Sequence, residues 1–354
     1  MNAFSFCFLR LSFPFLSYFL FLISYFLFLL SLLISHFLTD IYGVKKIAAQ
    51  ASLYFILKSK DYLQLMKFTL SFTVVFTCVI CYLLAPNVVE YSWPYILLLF
   101  AAGLMITGSA NAINQAVEKD TDAVMKRTGK RPVASGRMHE NEAYGFAIVT
   151  GVTGIALMYI FFNPASAILS ALSTFIYAFV YTPLKKVSAV AVLVGAFPGA
   201  LPCLIGWVAA TGVVSPFADV NVNGKLYSNG AGWALFGIQF LWQFPHFWAI
   251  AWIAYQDYAR AGFRLLPSHR GPERSTALQT ILYTLVMIPV GVLPYVFHLT
   301  GNVSLWIVLA ANIFLLAQCV RLYFELTPAA ARRIMFSSYI YLPVVFLSLL
   351  ADKI

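Results

Sequence analysis

Residues 95 to 132 read YILLLFAAGLMITGSANAINQAVEKDTDAVMKRTGKRP. The stretch from 95 to 117 carries no charge, and about 20 helical residues suffice to cross a hydrocarbon layer of roughly 30 Å. In lipid such a run must be a helix, because each N–H and C=O has to be bonded inside the segment. Working outward, runs of the same kind recur near 66 to 85, 143 to 161, 165 to 183, 188 to 212, 231 to 255, 276 to 297, 303 to 325 and 334 to 351. A barrel would instead show alternating segments of about 10 residues. The fold class is therefore an all-α membrane protein with nine transmembrane helices.

Composition excludes the soluble classes. Of 354 residues, 61% are hydrophobic and 10% charged, where a soluble domain has about 25% charged. The net charge of +10 does not point to nucleic acid, since Lys and Arg gather between the apolar runs. Counted on alternate sides of nine spans, 20 of the 23 fall on one side, which marks that side as cytoplasmic. The loops 118 to 142 and 256 to 275 then share the cytoplasmic face. Five cysteines lie in or beside apolar stretches, which suits packing better than a disulfide framework. The apolar run from 11 to 38 is too long for a signal-peptide core. It reads either as one extra N-terminal hydrophobic helix or as an extension that the core does not need. Residues 1 to 60 accordingly form an N-terminal hydrophobic extension and basic linker, and 61 to 354 the membrane domain. The N-terminus lacks an Arg-rich amphipathic transit pattern, so a bacterial inner membrane is expected before a mitochondrial one.

The end of the quoted stretch holds more than a membrane helix needs. Asn114, Glu118 and Asp122 are spaced four and four, so a continuing helix stacks them on one face, with Asp120 elsewhere. Carboxylates at that spacing suit a hard cation such as Mg²⁺ that shares its shell with phosphate. Lys126, Arg127, Lys130 and Arg131 follow, and can supply the charge-assisted bonds that a diphosphate needs. The same letters also read as a charged cytoplasmic loop, although the order, acids first and bases after, favours a site.

A second polar station lies in the run 231 to 255. Gln239, Gln243 and His246 follow helical spacing, and Asp257 stands 18 residues beyond Gln239, back on the same face after about five turns. Polar groups on one face of a membrane helix look into the bundle, since ionisable groups in the bilayer cost about 2.5 to 3.5 kcal/mol. They are functional candidates, with hydrogen-bonded glue between helices as the alternative for Gln239 and a weaker one for His246 and Asp257. Between the stations, Tyr181 and Lys185 share a face, interrupted by Pro183. Gly195, Gly199 and Gly206 with Pro198 and Pro202 permit close helix approach or a broken helix.

These residues resemble the UbiA superfamily of intramembrane prenyltransferases, and within it the protohaem IX farnesyltransferase (haem O synthase) branch. The matching strings are Asn114-x-x-x-Glu118-x-Asp120-x-Asp122-x-x-Met125-x-Arg127-Thr128-x-x-Arg131-Pro132, Tyr181-Thr-Pro-Leu-Lys185, Leu204-Ile-Gly206-Trp207, Trp242-Gln243-x-Pro245-His246-Phe247 and Asp257-Tyr258-x-x-Ala261-Gly262. The resemblance implies a nine-helix bundle around a central cavity, with farnesyl diphosphate and haem b as substrates and haem O as product. It implies a catalytic group of Asn114, Glu118, Asp122, Asp257 and Tyr181. Within it Glu118, Asp122 and Asp257 hold Mg²⁺, while Arg127, Arg131, Lys185 and Lys130 bind the diphosphate. His246, Trp242 and Gln243 contact haem, and a haem A synthase would take the product. Related quinone enzymes carry a second acid-rich motif where this chain has Trp-Gln-Phe-Pro-His-Phe. Glu118 departs from the Asp common at its position, and Thr69 from a common basic residue. A transporter would place its acids nearer the bilayer midplane, and a cytochrome with two axial histidines lacks the second His.

Overall fold

The computed structural model describes residues 56 to 268 and 270 to 354. The run 11 to 38 lies outside the described residues. The chain divides into two units, Met1–Tyr62 and Leu63–Ile354, and residues 56 to 62 of the first are helical. In the second unit, nine long helices stand among the described residues where nine runs were expected. They are α1 Phe68–Leu84, α2 Trp93–Val117, α3 Glu140–Phe161, α4 Pro164–Leu184, α5 Ala191–Thr211, α6 Gly230–Ile253, α7 Arg274–Val296, α8 Asn302–Glu325 and α9 Pro328–Ala351. Seven are individually long and apolar enough to cross a membrane, and an eighth span results if Ile56–Leu65 and α1 are one bent segment. The remaining helix, α6, carries Gln239, Gln243 and His246, polar groups that lower its hydropathy.

Local sequence explains the helix ends. Asn163 accepts the N–H of Ser166 at 2.8 Å with Pro164 behind it, and Thr327 accepts that of Ala330 at 3.2 Å with Pro328 behind it. A capping oxygen followed by Pro satisfies or removes the donors that a helix start leaves free. In α4 the turns Ile176–Tyr181 widen to a π-helix. Pro183 follows, and its ring displaces the carbonyl four residues earlier and offers no N–H. A β-hairpin, β1 Asp219–Val222 with β2 Lys225–Ser228, joins α5 to α6.

Helices adjacent in sequence pack side by side, and α5 also packs on α1, while α9 packs on α6 and α1. The most enclosed helix is α5. It continues unbroken through Pro198 and Pro202, so its glycines serve close approach. A methyl group on Gly206 would run into the backbone carbonyl of Cys78 in α1, and backbone cannot rotate away as a side chain can. Gly206→Ala is expected to lower stability by about 1 to 3 kcal/mol, the usual cost of overpacking, as a drop in thermal midpoint in detergent. Gly145→Ala, where nothing lies within 4 Å, is expected to show no such drop.

Candidate active site

One cavity of about 480 Å³ opens among α1, α2, α4, α5, α6 and α9, and both polar stations contribute to its wall. At one end it is charged. The helix α2 stops at Val117, Glu118 occupies the junction, and a short helix Lys119–Val124 continues. The ladder carries across: Glu118 N–H donates to Asn114 O at 3.0 Å and Asp122 N–H to Glu118 O at 2.7 Å. Asn114, Glu118 and Asp122 therefore keep one face and are 1%, 4% and 1% exposed. Asp120 is exposed.

Each buried acid has a basic partner. Arg131 Nη1 lies 2.6 Å from Asp122 Oδ2, and Lys185 Nζ pairs with Glu118 Oε1. Leaving either acid unpaired there would cost several kcal/mol. Lys185 also stands 4.9 Å from the ring centre of Tyr181 and 5.3 Å from that of Phe263. Burial holds its ammonium below the ordinary lysine value, against the opposing pull of Glu118. Asn114 Nδ2 donates to Thr182 Oγ1 at 3.2 Å, which ties α2 to the end of α4. Arg127 donates to the Tyr258 hydroxyl at 3.0 Å. Among the described residues, Lys67, Arg127, Arg131 and Lys185 face the cavity with only Glu118 and Asp122 opposing them. The surplus positive charge suits an anionic ligand with several oxygens.

Lys67 had not been expected in the site. Its Nζ donates to Asn114 Oδ1 at 2.7 Å, and its backbone is left-handed, φ 49°, at the start of α1. The remaining wall is largely apolar and aromatic, with Tyr177, Tyr181, Pro198, Pro202, Trp242 and Phe247 among others. Gln239, Gln243 and His246 all line it. Gln243 is also glue, since its Nε2 donates to Ala196 O at 2.9 Å and Gln239 O at 3.2 Å. Gly199 gives that amide its space, and a side chain there would collide with it.

Two expected members stand apart. Lys130 is exposed and does not line the cavity. Asp257 does not line it either: its Oδ1 accepts the N–H of Lys126 at 3.0 Å and its Oδ2 that of Arg127 at 3.4 Å. Its carboxylate is thus committed to two backbone N–H groups of the loop after Asp122 and not to the wall that Gln239 lines. A separate helix, Tyr255–Arg260, follows α6 after Ala254. These bonds do join the loop after Asp122 to the segment after α6, so both loops meet at one end of the bundle. Among the described residues no three His, Cys, Asp or Glu side chains gather closely enough to enclose a metal ion. Glu118 and Asp122, hard oxygen donors on a shared wall, fit a cation that completes its shell with ligand phosphate and water.

The chain is 40% identical over 296 residues to the protohaem IX farnesyltransferase of Cytophaga hutchinsonii, covering 83% of this chain and 97% of that one. It is 42% identical over 299 residues to that of Flavobacterium johnsoniae, with coverage of 83% and 94%. Among solved structures, digeranylgeranylglyceryl phosphate synthase matches with TM-score 0.66 at 19% identity, over 83% of this chain and 98% of that one. A UbiA homolog from Archaeoglobus fulgidus bound to GPP and Mg²⁺ matches with TM-score 0.56 at 15% identity, over 82% and 99%. Residues 74 to 349 match the model of the UbiA prenyltransferase family, and it is to that family that this chain belongs.

Proposed function

We propose that this protein is a protohaem IX farnesyltransferase, which joins farnesyl diphosphate, haem b and water into haem O and diphosphate. The observation that carries the reading is a cavity with a cationic, acid-bearing end and a long, largely apolar wall in which His246 is buried. A diphosphate belongs at the first end and an isoprenoid with a macrocycle along the second. The identity to protohaem IX farnesyltransferases over most of the chain supports the choice of acceptor.

The chemistry begins when the bond between C1 of the farnesyl group and oxygen breaks, and its electron pair leaves with the diphosphate. Arg131, Arg127, Lys185 and Lys67 stand where that charge gathers, and preorganised cations there stabilise it. Glu118 and Asp122 would hold Mg²⁺, which when bound neutralises the diphosphate as it departs. Vinyl electrons of the haem then capture the allylic cation, and water closes the new cation with loss of a proton. The apolar walls exclude other water, which would otherwise hydrolyse the first cation.

Residues 61 to 354 constitute the enzyme domain on this reading. The basic loops, and with them the charged end, face the cytoplasm of a bacterial inner membrane. Haem O leaves toward a haem A synthase within the same bilayer. Purified protein with haem b and farnesyl diphosphate is expected to yield a heavier, more apolar haem, and removal of Mg²⁺ with a chelator to abolish the product. Prenylation of 4-hydroxybenzoate without any change to haem would overturn the acceptor assignment.

A further inference from the structure

One residue of α9 touches two of the aromatic side chains, Trp242 and His246, that α6 presents to the cavity. The backbone carbonyl of Ser338 accepts the indole N–H of Trp242 at 2.9 Å, and its hydroxyl lies 2.8 Å from Nδ1 of His246. The same hydroxyl is 2.6 Å from the carbonyl oxygen of Met335. A carbonyl can only accept, so the single serine proton is spent on Met335. The hydroxyl oxygen therefore meets Nδ1 with lone pairs alone. That contact is a hydrogen bond only if Nδ1 carries the ring proton, which leaves Nε2 with its lone pair. His246 is 7% exposed, and none of its contacts among the described residues is a carboxylate. An unpaired charge is costly in such surroundings, so the ring is a neutral imidazole. With Nδ1 turned to α9, Nε2 is the nitrogen left for the cavity that His246 lines.

We propose that Ser338 is a positioning residue, which fixes His246 in the tautomer whose Nε2 takes the porphyrin iron as axial ligand. This rests on the proposed function for the presence of haem b. Metal-binding histidines are generally oriented by a bond to their second nitrogen, which also raises their basicity. The arrangement assigns Trp242 a different part from direct stacking on haem. Its ring stacks on the imidazole at 4.5 Å and 15°, and an axial imidazole stands upright on the porphyrin plane. The indole therefore stands upright too and braces the ligand from the side.

The test is a titration of haem b into purified protein, with resonance Raman spectra of the ferrous complex. The wild type is expected to show an iron–imidazole stretching band, lost in His246→Gly and restored by added imidazole. Ser338→Ala keeps the backbone carbonyl that holds Trp242. It is expected to bind haem about 10- to 100-fold more weakly, the usual effect of losing such a support, with the band at lower frequency. Ser338→Thr, which keeps a hydroxyl, should restore both. An unchanged band in His246→Gly overturns the proposal. So does weaker binding of Ser338→Ala without a shift of the band, since that is a packing defect alone. Failure of the wild type to bind haem would defeat the proposed function as well, whereas normal haem O synthesis with a band indifferent to these variants defeats only the role of Ser338 and His246.

Discussion

Asp122→Asn is expected to lower turnover of farnesyl diphosphate by about 100- to 1,000-fold, the range seen when one preorganised electrostatic contact is removed. Asp122 is 1% exposed and accepts Arg131 at 2.6 Å. An asparagine oxygen fills the same space and can still accept that bond, so folded protein should be recovered from membranes. What disappears is the negative charge, and with it the attraction for a cation beside the diphosphate. The measurement is the initial rate of haem O formation across a Mg²⁺ titration. If Asp122 holds the metal, the half-saturating Mg²⁺ concentration rises along with the loss of rate. If it only holds Arg131, the rate falls and the Mg²⁺ dependence stays put. Full activity in the variant would remove Asp122 from the reaction altogether.

The helices were legible because lipid leaves an uncharged run of this length no other structure. Their ends were less so. The last helix starts at Pro328, ahead of the apolar run that begins near 334, because Arg332 and Arg333 read as loop charges although they sit in its opening turns. Grouping by helical phase held for the first polar station. Asn114, Glu118 and Asp122 stay together across the junction at Glu118 because the hydrogen bonds continue through it. The same arithmetic failed for Asp257 although the ladder likewise continues through Ala254, because its carboxylate is taken up by the backbone N–H groups of Lys126 and Arg127. Nothing in composition marks that pairing. Lys67 was hidden for a related reason. As one basic residue ahead of an apolar run it reads as a topology anchor, and its approach to Asn114 depends on a left-handed backbone that non-glycine residues seldom adopt. Lys130 shows the converse. It lies in a turn region with no periodicity to decide which of the neighbouring bases face inward, and the structure turns it to solvent while Arg127 and Arg131 line the cavity.

The two acidic stations should consequently respond differently to substitution. Asp257 receives two backbone N–H groups from Lys126 and Arg127, and bonds to a charged acceptor are worth about 1.5 to 3 kcal/mol. They hold the segment that carries Arg127 and Arg131 against the end of α6, where Met125 packs on Ala261 and Phe263. Asp257→Ala removes both bonds and is expected to loosen that segment, so that the arginines no longer wait in place for the diphosphate. The expected result is a rise in KM for farnesyl diphosphate of about 10- to 30-fold, the equivalent of roughly 1.4 to 2 kcal/mol, with the Mg²⁺ dependence unchanged. Asp257→Asn keeps one acceptor oxygen and should recover part of the loss. An alternative gives the opposite pattern. Should Asp257 swing into the cavity and join the metal when substrate arrives, Asp257→Asn would be as damaging as Asp257→Ala, and both would raise the Mg²⁺ requirement as Asp122→Asn does. Comparing the Mg²⁺ titrations of Asp257→Asn and Asp122→Asn therefore separates a residue that holds the loop from one that holds the ion.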